Sequence, residues 1–402
     1  MAEVINKLPT SNMEVFKQQL DTPNTSFQNL NQENKSEQVQ IKKNLVLSYT
    51  SDSTGCGHIR NIFPMTYLNA TFGKSGKFNL LSSPIMIYQH EILQRARSIY
   101  FQRTMAPQQL PSVRRYKELQ QKYKFKMVYD IDDFIWKGDD EGEHIPPYNF
   151  GGERIGQDIR DSSVEIMKLM DTVCVSTKFL GEYVAKLGVD RKKIVVVPNA
   201  VPKYFWNRPN KKPITEKIKK PSVIYTGSPT HYHNGKKLPG DLGNAWLDWI
   251  VDSVENDKID FTIMGGLPFM FEGIKDKIKI IPWVNSFQYH LPVMDTNADF
   301  SIGPLVPNYF NYSKSDIKSI EAYASGSIFV GSTFTNDKPS PYDNCFLTQP
   351  DNCTVEDIQS MIDEYCEPEK YNETLVKQYE YMMTGGRYLE SPSYINMLTK
   401  IF

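Results

Sequence analysis

The chain has no run of about 20 apolar residues, so no helix is expected to span a membrane. Its start is polar and lacks the basic stretch and apolar core of a secretory signal. These two features give the expectation of a soluble, cytoplasmic protein. The five cysteines, Cys56, Cys174, Cys345, Cys353 and Cys366, are scattered and odd in number, and none are spaced C-x-x-C. That pattern argues against a zinc site or a disulfide framework and fits free, packing thiols in a reducing compartment. The net charge of −1 does not indicate a globally basic nucleic-acid binder.

What is present is a globular composition: 402 residues, 40% hydrophobic and 12% aromatic. This length fits two domains better than one. Residues 1–41 are rich in Asn, Gln, Ser and Lys and read as a polar extension. From Asn44 onward, strand-length apolar runs alternate with helical patterns. The runs are 44–49, 98–102, 126–130, 172–176 and 194–198. The clearest helical patterns are 114–123 and 178–187. Such alternation predicts an α/β fold with a parallel, doubly wound sheet. The Pro- and Lys-rich stretch from Pro202 to Pro221 reads as a linker. A second set of strands follows at 222–226, 260–264, 278–281, 299–303 and 327–331. The expected division is therefore an N-terminal domain 42–205, a linker 206–221, a second domain 222–375 and a helical tail 376–402. Ligands of open α/β sheets bind beyond the carboxyl ends of the strands, so the cleft between the sheets is the expected site.

Four segments can carry chemistry there. In Lys314–Gly326, Ser313 or Ser315 is expected to cap a helix that ends at Gly326. The amides at its start suit a phosphate. Glu321, within the first two turns, can accept hydrogen bonds from vicinal ribose hydroxyls, or can be an exposed residue of an amphipathic helix. In Tyr225–Lys237, the Gly227-Ser228 turn with Lys236 or Lys237 can hold a diphosphate, or can be a plain surface loop. In Asp52–Arg60, Gly55, Gly57, His58 and Arg60 would face the cleft from the other domain. The glycines there match neither a dinucleotide fingerprint nor a phosphate-binding P-loop, which weighs against a dehydrogenase or an NTPase. In Val128–Trp136, Asp132 and Asp133 can orient a polar acceptor, cap backbone or bind Mg²⁺. Adjacent residues of an extended chain point apart, so a metal held by both is the less favoured option and no metal site is assigned.

Charge is also unevenly spread. Residues 186–220 hold eleven Lys or Arg against Asp190 and Glu216. Such runs are usually solvated faces, but this one can also meet phosphates.

Six motifs in order resemble the large family-four type of retaining glycosyltransferases. They are Tyr129–Trp136, Val175–Thr177, Val196–Ala200, Tyr225–Ser228, Asp299–Leu305 and Lys314–Gly326, and the resemblance runs from about residue 44 to 335. It implies a GT-B fold: two Rossmann-like domains facing a cleft, with the last helix crossing back to the first domain. It implies a nucleotide-sugar donor, taken here as a UDP-sugar, transfer with retention and no obligatory metal. Carried over, Glu321 binds the ribose, and the amides around Ser313 to Ser315 bind the diphosphate. Lys236 or Lys237 stands for the family's phosphate-binding lysine, without its usual arginine. Gly55 to Gly57 lie near the donor phosphates, and Lys314 supports the leaving group. The family's first acid falls at Ser313, and Asn311 or Lys314 is left to replace it. With His58, Asp132 and Asp133 this completes the expected site.

The motif details and the Asn/Gln-rich start also look similar to glycosyltransferases of large tailed phages, some of which modify hydroxymethylated cytosine in DNA. A phage-encoded chain would work in the host cytoplasm. The basic segment 186–220, with Tyr204, Phe205 and Trp206 as wedges or stacking groups, would then meet double-stranded DNA. Two alternatives stand beside this: transfer to a surface polysaccharide or lipid-linked glycan, and a non-catalytic nucleotide- or glycan-binding module.

Overall fold

The computed structural model describes residues 42–137, 146, 155–206, 211, 213–228, 231–232 and 240–402. Lys42–Phe402 form one compact unit built on two six-stranded parallel sheets. The first holds β1 (Leu45–Tyr49), β2 (Asn79–Ser82), β3 (Ala96–Gln102), β4 (Lys126–Ile131), β5 (Thr172–Val175) and β6 (Ile194–Val196), in the order β2-β1-β3-β4-β5-β6. The second holds β7 (Ser222–Thr226), β8 (Asp260–Met264), β9 (Lys279–Ile281), β10 (Phe300–Gly303), β11 (Ile328–Thr333) and β12 (Thr348–Pro350), in the order β12-β11-β10-β7-β8-β9. The expected α/β class and doubly wound sheets are present.

Among the described residues, twelve α-helices of five or more residues cover the sheets. Those of the first half are α1 (Phe63–Phe72), α2 (His90–Arg95), α3 (Leu110–Tyr123), α4 (Gln157–Leu169) and α5 (Lys178–Lys186). The second half has α6 (Gly243–Glu255), α7 (His290–Thr296), α8 (Tyr309–Ser313), α9 (Ile317–Ser325), α10 (Val355–Tyr365), α11 (Pro368–Thr384) and α12 (Pro392–Ile401).

Strand periodicity explains how each sheet is covered. Alternate side chains leave a strand on opposite faces. Leu45, Leu47 and Tyr49 of β1 join Met127 and Tyr129 of β4 in one core, under α3, α4 and α5. Val46 and Val128 point the other way, onto α1 and α12. That second core contains Tyr394, Leu398, Ile401 and Phe402. Earlier in the same C-terminal stretch, Tyr371 of α11 packs beside the second sheet. The chain therefore ends by crossing from the second sheet back to the first. Lys126 Nζ donates to the Ile401 carbonyl at 2.7 Å, which fixes that return.

A short helix ties the halves from the other side. Tyr309, Phe310 and Tyr312 of α8 lie within the core of the first half. Tyr309 meets Phe134 at 5.4 Å between ring centroids, and Tyr312 meets Phe179 at 5.7 Å.

Asp299, just before β10, anchors the linker. Its Oδ1 accepts from Lys211 Nζ at 2.9 Å and Tyr371 Oη at 3.1 Å. Its Oδ2 accepts from the Ser222 amide at 2.9 Å and hydroxyl at 2.8 Å. Burial pushes this carboxyl up, but Lys211 and the Ser222 donors more than offset it and leave it below the usual range. A depressed carboxyl stabilises the fold above its unfolded pKa of about 4 and loses that contribution as pH falls through the folded value. Asp299→Asn should therefore destabilise the protein by on the order of 3 kcal/mol at pH 7. The deficit should shrink on acidification toward pH 3. Urea unfolding at both pH values checks this, and equal deficits at the two would contradict it.

Candidate nucleotide-binding cleft

A cavity of about 250 Å³ opens where the loops after β1 and β7 face each other. These are the strands at which winding reverses direction in each sheet, β1 beside β3 and β7 beside β10. Loops diverge at such points and leave a crevice. From the first half the walls include Gly55, Cys56, His58, Asp132 and Asn199. From the second they include Thr226, Gly227, Ser228, His231, Trp283, Tyr289, Lys318 and Glu321.

Backbone geometry lets the floor form. Gly265 has φ +112°, a conformation that side chains avoid. A Cβ there would stand 2.1 Å from the Gly227 carbonyl oxygen. Gly227 in turn donates its N–H to the Met264 carbonyl at 3.0 Å, so the ends of β7 and β8 are pinned together.

Glu321 and Lys318 lie three residues apart on α9 and so share one face. Lys318 Nζ donates to the Thr226 carbonyl at 2.6 Å. Tyr289 Oη donates to Glu321 Oε2 at 3.2 Å. Burial, only partly countered by Tyr289 and Lys318, pushes Glu321 up to about 7. Burial and the nearby Lys314 charge push Lys318 down to about 7. Shifted titratable groups converging in one cleft make it the candidate functional site.

The expected helix from Ser313 to Gly326 is interrupted. α8 ends at Ser313, Lys314 turns extended with ψ 151°, and α9 starts after Asp316. Gly326 does close it, in the left-handed conformation with φ 78°. Ser313 and Ser315 are thus not caps. Ser313 is fully buried, and its hydroxyl donates to the Phe310 carbonyl at 2.8 Å. Ser315 accepts from Asn199 Nδ2 at 2.6 Å. The Lys314 amide donates to Asn311 at 3.3 Å, and its ammonium lies 4.4 Å over the Phe310 ring. None of Ser313, Lys314 or Ser315 lines the cavity. Lys236 and Lys237 lie outside the described residues.

On the opposite wall, Gly55 and His58 reach the cavity but Gly57 does not. The Gly57 amide donates to Asp52 Oδ1 at 3.2 Å, so it is committed to a carboxylate. His58 Nδ1 donates to the Thr54 carbonyl at 2.8 Å. Arg60 is buried away from the cavity and pairs with Asp130 at 2.6 Å.

Asp132 lines the cavity and Asp133 does not. Their expected divergence does not hold. β4 ends at Ile131, so strand alternation no longer applies. Both carboxylates turn toward Arg103, at 4.0 Å and 3.1 Å. With Cys56 Sγ they form a group of ligand-type atoms within 4.8 Å of one another. The Arg103 guanidinium already supplies a cation to this group. Burial, then Asp133, pushes Asp132 up to about 6.

Three of the eleven cations of the basic segment sit in ion pairs with described residues. Lys211 pairs with Asp299, Lys217 with Glu367, and Lys220 with Asp257 and Asp260. Phe205 and Trp206 are cavity walls rather than exposed wedges. Tyr204, 64% exposed, is the one of the three that faces outward. Sequence reasoning missed Lys318, Tyr289 and Asn199. The spacing Lys314, Lys318, Glu321 was the available signal for Lys318.

No family model matches the sequence, and no curated protein matches it. Among solved structures the chain is similar to HepE of Anabaena in complex with UDP. The TM-score is 0.55 at 11% identity, covering 89% of this chain and 98% of that one. The same protein in complex with UDP-glucose gives a TM-score of 0.52 at 10% identity, with the same coverage of 89% and 98%. Sucrose-phosphate synthase from Thermosynechococcus elongatus gives 0.52 at 13% identity, covering 90% and 98%. At these identities the shared property is the fold, and the two facing Rossmann-like sheets are those of GT-B.

The phenol of Tyr289 favours the charged form of Glu321. Tyr289→Phe should therefore raise the Glu321 carboxyl further above about 7. A ¹³C titration of the glutamate carboxyls checks this, and a downward or absent shift would contradict it.

Proposed function

We propose that the chain is a glycosyltransferase that takes a sugar from a UDP-sugar bound in this cleft and transfers it, with retention, to a hydroxyl acceptor. The observation that carries this is the convergence of Glu321, Tyr289 and Lys318 in a cavity at the reversal point of a GT-B fold. Fold relatives in complex with UDP and UDP-glucose support the choice of donor.

Each wall has a task in this reading. Trp283, Phe205 and Trp206 offer aromatic faces for the base. Glu321, held by Tyr289, accepts the ribose hydroxyls. Lys318 meets the diphosphate, with the Lys314 charge behind it. As the bond from sugar to phosphate breaks, negative charge gathers on the diphosphate, where fixed cations lower the barrier. Asp132 stands on the acceptor wall. Its Oδ1 is buried with no hydrogen-bond partner, a position suited to orienting an incoming hydroxyl.

For the acceptor, hydroxymethylated cytosine in DNA is the reading put to test. Its support is the exposed Arg191 and Lys192 beside the edge strand β6. Lys211, Lys217 and Lys220 add little to it because they sit in ion pairs.

A panel of UDP-, GDP- and ADP-sugars, with hydroxymethylated DNA, unmodified DNA and lipid-linked glycans as acceptors, tests both halves. The expected result is release of UDP and label in hydroxymethylated DNA alone. Transfer to glycan would overturn the acceptor, and UDP binding without transfer to any acceptor would favour a binding module. Glu321→Ala should weaken UDP-sugar binding about 10- to 100-fold, as expected for a lost charge-assisted contact. Lys318→Met should mainly lower kcat.

A further inference from the structure

A buried histidine–aspartate pair stands in the cavity wall beside Lys318. His231 follows β7, lines the cavity and is 6% exposed. Its Nδ1 lies 2.9 Å from Asp241 Oδ2. Asp241 is fully buried in the turn that leads into α6. Its other oxygen accepts from Asn311 Nδ2 at 2.9 Å, and the same amide donates to the Val306 carbonyl at 2.8 Å. Gly240 lets this turn close on the histidine: it has φ +57°, and a Cβ would stand 2.3 Å from the His231 carbonyl oxygen. The aspartate is thus fixed from two sides, and the ring is fixed by the aspartate.

This geometry sets the tautomer. A carboxylate only accepts, so Nδ1 carries the proton. Nε2 is then an acceptor when the ring is neutral and a donor when it is charged. The charged groups that bear on the ring are Asp241 from the turn, Lys318 from α9 and Lys314 from the break before it. Burial first, then the two lysines, holds His231 well below its ordinary pKa. A diphosphate beside Lys318 would set negative charge against the two lysines and favour the charged ring.

We propose that His231, backed by Asp241, is a catalytic residue that takes a proton from solvent as a nucleoside diphosphate enters and then donates from Nε2 to the leaving phosphate oxygens. This rests on the UDP-sugar reading of the cleft. In the transfer, the bond from the anomeric carbon to phosphate oxygen breaks, and its electron pair stays on that oxygen. The acceptor oxygen bonds the anomeric carbon, and its proton passes to the departing phosphate. The imidazolium keeps its proton through this step and returns it to solvent when the diphosphate leaves.

The test is ¹⁵N imidazole NMR of the full chain at pH 7, with UDP as probe. Of the six histidines, one should change from the neutral pattern to the doubly protonated one at saturating UDP. That change should disappear in His231→Gln and in Asp241→Asn, and UDP affinity should fall about tenfold in His231→Gln. It should persist in single variants of the other five, His58→Gln, His90→Gln, His144→Gln, His233→Gln and His290→Gln, which assigns it by elimination even if the His231 variant does not fold. UDP binding with all imidazoles unchanged in charge would overturn the proposal and leave the donor reading standing. So would a change that survives His231→Gln. Failure of UDP to bind at millimolar concentration would instead remove the donor reading, and this proposal with it.

Discussion

The cleft depends on one buried ion pair, Arg60 with Asp130. Their side chains are 1% and 2% exposed, so both charges have left water. Such burial costs several kcal/mol per ion unless every donor finds a partner. Here nearly all do. Arg60 Nε and Nη2 grip the two Asp130 oxygens at 3.0 and 2.6 Å, and Nη1 reaches the Val197 carbonyl at 2.5 Å and Asn199 Oδ1 at 2.9 Å. Burial alone would favour the neutral guanidinium, but Asp130 outweighs it and holds Arg60 charged. The pair therefore fastens the loop after β1 to β4 and to the segment after β6. From Asn199 it continues across the cleft, since that amide donates to Ser315. The wall that carries Gly55 and His58 is thereby set at a fixed distance from the start of α9.

Packing between the halves also accounts for a serine at position 313, where the resemblance led to the expectation of an acid. α8 is sunk among the aromatics of the first half, and Thr177 Oγ1 donates to the Ser313 carbonyl at 3.0 Å. A carboxylate placed there would be buried without a cation, which proteins avoid. The position thus serves as a plug between halves, and the polar side chains that line the cavity are Lys318 and Glu321 of the next helix. Asn311, on the same plug, holds Asp241 rather than facing a ligand.

Much of the fold was legible because buried parallel strands leave near-continuous apolar runs. β7 and β8 fall at the residues the runs predicted. β2 and β12 were missed for the complementary reason. Each is an edge strand with one neighbour, none of its residues is fully buried, and the second of them reads Thr-Gln-Pro. In the site, helix position alone left Glu321 open between a cleft residue and an exposed one; the order of the surrounding motifs is what pointed it at the cleft, whose lining includes it. The convergence of Asp132 and Asp133 was not legible, because it depends on where β4 stops and on Arg103 arriving from β3's end. The His231–Asp241 contact joins residues ten apart in sequence and leaves no periodic signal.

The electrostatics of the cavity follow from these restraints. Glu321 and Lys318 sit one turn apart, yet neither gains a direct ion pair, because each is turned to a neutral partner: a phenol for the acid, a carbonyl for the amine. Burial then pushes both toward about 7, the acid from below and the amine from above. A ligand with vicinal hydroxyls and a diphosphate would supply what each charged form lacks, donors for the carboxylate and negative charge for the ammonium. Binding such a ligand would stabilise both charged forms together. Each group is already held in place by its neutral partner, so such a ligand would meet side chains that need little rearrangement.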